Sequence, residues 1–171
     1  MKRIHIIGRK NSGKTTLIVE LVTEFTRRGY RVGTIKHTHH NHELDAPGKD
    51  SHRHREAGSA AVGILTKGMN AIFWPQTSTE PETKKYSQFD SMMQECDVVL
   101  VEGDSQTDAP KVEVFRSTTE DSPLAFSDSK IAAVISDDVL KIDTVIWKRS
   151  DLNSVADKIS LLLNLQPPKH Q

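Results

Sequence analysis

The sequence predicts an α/β fold, a mostly parallel sheet with helices on both faces, and three observations predict it. Ile4-His5-Ile6-Ile7 is an apolar run of strand length. Leu17, Leu21 and Phe25, with Ile18 and Val22 beside them, recur at the spacing of an amphipathic helix. Arg31 to Lys36 then reads as a second strand, which makes a βαβ unit with parallel strands and a right-handed crossover. Between the first strand and the helix stands Gly8-Arg9-Lys10-Asn11-Ser12-Gly13-Lys14-Thr15, which fits G-x-x-x-x-G-K-[ST], the phosphate-binding P-loop. The expectation is a single P-loop nucleotide-binding domain over residues 1–165, with a loose tail at 166–171 that carries two prolines.

Physical chemistry sets the spacing of that motif. A polyphosphate needs several backbone N–H groups turned inward around it, and only residues without bulky side chains allow so tight a wrap. Gly8 and Gly13 supply that freedom, so the nucleotide-binding set is Gly8, Arg9, Lys10, Asn11, Ser12, Gly13, Lys14, Thr15 and Thr16. Lys14 is placed to bring its ammonium to the β- and γ-phosphates, and the Thr15 hydroxyl to hold Mg²⁺. The helix that follows directs its positive end at the anion and stops at Arg27-Arg28-Gly29, basic residues followed by a glycine.

Composition narrows the partners. Lys plus Arg equal Asp plus Glu at 23 each over 171 residues, so no global field draws the chain to nucleic acid or to an anionic membrane. The single cysteine, Cys96, excludes an internal disulfide and a multi-cysteine metal cluster, and suits a reducing compartment. The first strand begins close to Met1 with no apolar signal segment, and no run approaches the roughly 18 to 20 apolar residues of a membrane span. A soluble, cytoplasmic protein is expected.

After the second strand, His37 to Arg55 holds six of the eight histidines, at 37, 39, 40, 42, 52 and 54, and of large apolar residues only Leu44. It reads either as a solvated connection or as a switch-like loop facing the nucleotide, and ligand sites of open α/β sheets form where such loops leave the strands. His37-x-His39 and His40-x-His42 could ligate Zn²⁺, but Lys36, Lys49, Arg53 and Arg55 repel a cation and favour a phosphate-bearing partner. The candidate residues for binding such a partner are therefore Lys36, His37, His39, His40, Lys49, Asp50, Arg53 and Arg55.

Further on, Ser59 to Leu65 reads as a strand or a short helix running into one, Met69 to Trp74 as strand-like, Ser78 to Lys85 as a loop, and Phe89, Met92 and Met93 as one helix face. Cys96 reads as a small buried hydrophobe. Asp97 to Gly103 is a continuous apolar run that ends in Glu102, the reading for a strand buried on both faces. A carboxylate at that end is where P-loop enzymes hold or orient Mg²⁺, so Lys14 and Glu102 are the candidate catalytic residues and Thr15 and Glu102 the metal pair. Lys111 to Arg116 alternates as a half-exposed strand does, and Ile131 to Ile135 reads as another buried strand. Asp137 beyond it can accept both N1–H and N2–H₂ of guanine, although the N-K-x-D guanine signature is absent. Val145 to Trp147 closes the strands. Asp151 caps a last helix whose buried face is Leu152, Val155, Ile159 and Leu162.

Gly8 to Thr16, Gly33-Thr34-Ile35-Lys36-His37-Thr38-His39-His40, Asp45-Ala46-Pro47-Gly48-Lys49-Asp50-Ser51, Arg55-Glu56-Ala57-Gly58, Leu100-Val101-Glu102-Gly103 and Ser136-Asp137 together carry a family likeness. On them the chain resembles molybdopterin-guanine dinucleotide biosynthesis protein B, MobB, along nearly its whole length. The resemblance implies a GTP-binding protein with slow, Mg²⁺-dependent GTPase activity and a homodimer. It also implies a helper of the molybdopterin guanylyltransferase, the enzyme that joins GMP to molybdopterin. The chain departs from the family at Asp104-Ser105, where an aromatic residue and lysine are common, and at Arg9 and Lys10 within the loop. Arg9 holds the slot where a related dimeric class keeps a lysine that reaches the partner subunit's nucleotide. An alternative is an ATP-dependent ligase or kinase resembling dethiobiotin synthetase, which shares the loop, the lysine at Lys36 and the Glu-Gly. A third reading is a nucleotide-dependent adaptor without appreciable turnover.

Overall fold

The computed structural model describes residues 1–38, 43–75, 85–118 and 121–168. The chain forms two compact units, Met1–Thr38 with Phe89–Gln171 and the inserted His39–Gln88. In chain order the first unit opens with β1 (Arg3–Ile7), α1 (Lys14–Arg27) and β2 (Val32–Lys36). The inserted unit holds α2 (Asp50–Glu56), β3 (Val62–Leu65) and β4 (Asn70–Phe73). The first unit resumes with β5 (Val98–Glu102), β6 (Lys111–Val114), β7 (Ile131–Ile135), β8 (Ile146–Trp147) and α3 (Leu152–Leu162).

Six strands form one wholly parallel sheet in the order β2-β5-β1-β6-β7-β8. Alternation along each strand assigns its two faces. Ile4 and Ile6 of β1, Val98 and Leu100 of β5 and Val112 and Val114 of β6 pack with Leu17, Leu21 and Phe25 of α1 and Val155 and Ile159 of α3. Each of these fully buried aliphatic or aromatic side chains contributes about 2 kcal/mol. The opposite face carries Ile7, Phe115, Ile131 and Val134, covered by Ala125 from a 3-10 turn at Leu124–Phe126 and by Leu124, Leu140 and Ile142. Helices α1 and α3 are tied at their edges. Glu24 binds Arg27 and Arg28, and Arg28 reaches Asp157 Oδ1 at 2.5 Å and the Asn153 carbonyl at 3.1 Å.

Three expectations are corrected. The alternation in β6 is real, but all four of its residues are buried, because the charged face lies inside rather than in water. Lys111 is satisfied there by Asp128 Oδ2 at 2.6 Å and the Ser105 carbonyl at 2.7 Å. Glu113 accepts from the backbone N–H groups of Leu124 at 2.8 Å and Ala125 at 3.0 Å. Secondly, Phe89, Met92 and Met93 form no α-helix: a 3-10 turn at Ser87–Phe89 leads into turns, and Met92 is exposed. So short a polar segment cannot repay helix nucleation. Met93 and Cys96 instead pack on Gly33, where a Cβ would lie 3.1 Å from Cys96 Sγ and 3.3 Å from Met93 Sδ. Burial pushes the Cys96 thiol up, as a packing role requires. Thirdly, Leu162 is exposed and Ala156 joins Val155 and Ile159 in the buried face of α3. The Asp151 cap is present, with its carboxylate accepting from Ser154 N at 3.1 Å.

In the inserted unit, β3 and β4 form an antiparallel hairpin of two strands. Most of the Ser78 to Lys85 loop lies outside the described residues, as do His39, His40 and His42.

Candidate functional site

The loop between β1 and α1 is held open by backbone that few residues tolerate. Gly8 has φ +144°, and a Cβ there would sit 2.4 Å from the Val114 carbonyl oxygen and 2.8 Å from Ser12 Oγ. Gly13 at φ +94° stands at the N-cap of α1, and Asn11 is left-handed at φ 64°. Successive backbone N–H groups in a turn that includes left-handed residues can face a common centre and form an anion-binding concavity. Ser12 is buried, and among the described residues its Oγ has no hydrogen-bond partner. An orphaned hydroxyl inside a glycine cradle fits a phosphate oxygen.

Lys14 Nζ donates to the carbonyls of Gly8 at 2.9 Å and Arg9 at 2.6 Å, which holds the ammonium over the loop. Burial lowers the Lys14 pKa, and the nearby Glu102 opposes that shift. Thr15 Oγ1 donates to Glu102 Oε1 at 2.8 Å. Two hard oxygens this close, one at the start of α1 and one at the end of β5, fit a small divalent cation such as Mg²⁺. Arg9 is half-exposed, with Nε 3.8 Å from Asp121 Oδ2. Lys10 and Thr16 are exposed.

Strand register brings further residues to the same edge. β2 pairs Lys36 with Glu102, and His37 N donates to the Glu102 carbonyl at 2.9 Å. Gly103 has φ +90°, and a Cβ there would press on the His37 carbonyl at 3.1 Å. From beneath, His5 is fully buried, and its Nδ1 lies 3.2 Å from the Gly103 carbonyl. Arg3 Nε donates to His5 Nε2 at 3.3 Å, so Nδ1 carries the proton and donates to Gly103. Desolvation lowers the His5 pKa to about 4, so the ring is neutral near pH 7. His5 therefore props the turn that presents Glu102. A histidine within an apolar strand gave no signal for that task.

Asp137 lies at the exposed end of β7, where Ser150 N donates to its Oδ1 at 2.8 Å. That backbone bond, the largest cause, holds its carboxyl below the usual range. Ser150, which orients it, was not legible beforehand. Arg116 was also missed as a site residue. Its guanidinium atoms lie 3.0 to 3.3 Å from where a Cβ on Gly13 would stand, and Ser117 N beside it donates to Asp138 Oδ2 at 2.6 Å.

Lys49, Asp50, Arg53 and Arg55 belong to the inserted unit. There Arg55 is committed to neighbours of its own unit: Glu43 Oε1 at 2.5 Å, Asp45 Oδ2 at 3.9 Å and the Phe73 ring at 5.6 Å. Asp50 and Arg53 are exposed on α2, 3.9 Å apart. Among the described residues no group of three or more His, Cys, Asp or Glu is placed to hold a metal ion, and no helix is long and apolar enough to cross a membrane.

Known proteins resemble this chain along most of its length. The family model for molybdopterin guanine dinucleotide synthesis protein B matches residues 3–137. The molybdopterin-guanine dinucleotide biosynthesis adapter protein of Haemophilus influenzae is 37% identical over 156 residues, covering 90% of this chain and 85% of that protein. Its counterpart in Escherichia coli is 34% identical over 150 residues, covering 85% and 84%. The crystal structure of the MobB homolog from Bacillus stearothermophilus superposes with TM-score 0.67 at 25% identity, covering 96% of this chain and 99% of that one. With the family model matching most of its length and two relatives above 30% identity covered to more than four fifths, the chain belongs to the MobB family.

Proposed function

We propose that this protein is a Mg²⁺-dependent GTP-binding adapter with slow GTPase activity that serves the conversion of molybdopterin to its guanine dinucleotide form. The observation that carries the reading is the Thr15–Glu102 contact beside the glycine cradle. In this reading the N–H groups from Gly8 to Thr16 and the orphaned Ser12 hydroxyl receive the phosphates, and Lys14 turns from the Gly8 and Arg9 carbonyls to the β- and γ-phosphates. Mg²⁺, when bound, neutralises charge that develops on the phosphoryl oxygens. Thr15 and Glu102 hold or orient it, and Asp137 takes the N1–H and N2–H₂ edge of guanine.

Turnover is slow because the site positions and neutralises but supplies little else. Glu102 is engaged by Thr15, and His5 is sealed beneath the turn, so neither is offered to a water as a base. Lys36 and His37 stand beside Glu102 and serve the anionic pterin or the γ-phosphate. In the inserted unit, taken by itself, Lys49, Asp50 and Arg53 are candidates for pterin or partner binding. The adapter name of the relatives supports a helper role in guanine dinucleotide formation; homodimerisation and contact with the guanylyltransferase in the cytoplasm complete the proposal.

Calorimetric titration with Mg·GTP and with Mg·ATP tests it. Tighter GTP binding is expected; equal binding or an ATP preference overturns the guanine assignment and favours the dethiobiotin-synthetase-like alternative.

A further inference from the structure

The Asp137 carboxylate accounts for one edge of guanine. The other edge presents O6 and N7, two acceptors that call for donors, and adenine differs there by offering a donor amino group at position 6. Lys14 is taken by the phosphates, and its position at the start of α1 fixes it there. The structure holds another cation at the margin of the loop. Arg116 follows β6, and its guanidinium lies against Gly13, with Nη2, Cζ and Nε at 3.0, 3.1 and 3.3 Å from the point a Cβ would occupy. The backbone that carries it is tied to the segment that carries Asp137. Ser117 N donates to Asp138 Oδ2 at 2.6 Å, and Asp138 N donates to Ser136 Oγ at 3.1 Å. Strands β6 and β7 are neighbours, so Arg116 and Asp137 leave adjacent carboxyl ends of the sheet. The contact with Gly13 puts Arg116 at the loop, and the Ser117–Asp138 bond puts its backbone beside the segment that carries Asp137.

We propose that Arg116 is a specificity-determining residue that donates to guanine O6 and N7 and excludes adenine by facing its amino group. The planar fork of a guanidinium matches two acceptors side by side, which an ammonium does not. The contact with Gly13 has a second consequence: the guanidinium occupies the space of a side chain at that position, so only glycine there leaves Arg116 in place. This inference rests on the GTP reading above and adds the second base contact to it.

The test compares GTP, ATP, 7-deaza-GTP, which lacks the N7 acceptor, and inorganic tripolyphosphate, all with Mg²⁺, on the full chain and on Arg116→Ala and Arg116→Lys. The unaltered protein is expected to bind GTP about tenfold more tightly than 7-deaza-GTP. Arg116→Ala is expected to bind those two alike, to lose about tenfold of its preference for GTP over ATP, and to keep its tripolyphosphate affinity. Arg116→Lys should not restore the discrimination. The measurement on the unaltered protein needs no variant to fold. Equal binding of GTP and 7-deaza-GTP by a protein that still prefers GTP to ATP overturns the proposal alone. Parallel loss of GTP and tripolyphosphate in Arg116→Ala, rescued by lysine, also overturns it and makes Arg116 a phosphate ligand. Equal binding of GTP and ATP by the unaltered protein removes the GTP reading itself.

Discussion

Thr15 Oγ1 and Glu102 Oε1 are 2.8 Å apart, and with that bond the first turn of α1 and the last residue of β5 form one oxygen-rich corner. If the corner serves Mg²⁺, Glu102→Gln should weaken GTP binding about tenfold when Mg²⁺ is present and leave binding in a chelator unchanged. Titration in the two buffers checks this. Equal loss in both would make Glu102 a structural partner of Thr15 only.

Lys14→Ala should abolish detectable nucleotide binding, because a charge-assisted bond of about 2 to 3 kcal/mol and its point charge on the phosphates both disappear. The fold should survive, since Lys14 makes its bonds to the carbonyls of its own loop. Unchanged GTP affinity in a folded variant would refute the reading of this loop.

Asp137→Asn should exchange guanine for xanthine. An amide can donate to the carbonyl that xanthine carries in place of the amino group, and it meets the amino group of guanine with a mismatch. The variant should favour XTP over GTP by about tenfold or more in a competition assay. Retained GTP preference would place base recognition elsewhere.

Glu24 supplies a pH signature of the fold. Side-chain hydrogen bonds from Arg27 and Arg28 lower its pKa from 4.5 to about 2. A depressed carboxylate stabilises the native state above its unfolded pKa, and that contribution is lost as pH falls from about 4.5 through about 2. Glu24→Gln should therefore cost about 1 to 2 kcal/mol at pH 7, a few degrees in Tm, with the difference from the unaltered chain closing by the acid end of that window. Thermal melts across the range read it; a constant gap would mean that packing, not charge, is at stake.

The features legible in the sequence were those set by local spacing. Gly8 to Thr16, the apolar period of α1 and the run ending in Glu102 are each set within a few residues, and the structure has a strand-to-helix loop, a helix and a buried strand there. What escaped depends on partners distant in the chain. The alternation of Lys111 and Glu113 cannot reveal that Asp128 and the Leu124 and Ala125 N–H groups await them inside. His5 looks like any residue of a strand until Gly103 is brought above it, and Ser150 and Arg116 acquire meaning only from Asp137 and Gly13. Met92 and Met93 gave a periodic signal too short to distinguish a helix from a turn.

The strand order has a consequence for how the chain matures. β1 and β2 flank α1 in sequence, yet β5 lies between them in the sheet. The opening third of the polypeptide therefore cannot zip its own strands together. It must wait until the inserted unit has been synthesised and the loop that includes it has closed, an entropic delay that local pairing would have avoided. The strand that ends the wait is also the one that delivers Glu102. A nascent chain cut before Val98 carries the entire glycine-lysine-threonine motif without the carboxylate that completes its corner, so the joining of β1 to β2 and the delivery of Glu102 arrive in the same event, with β6, β7 and β8 still to follow.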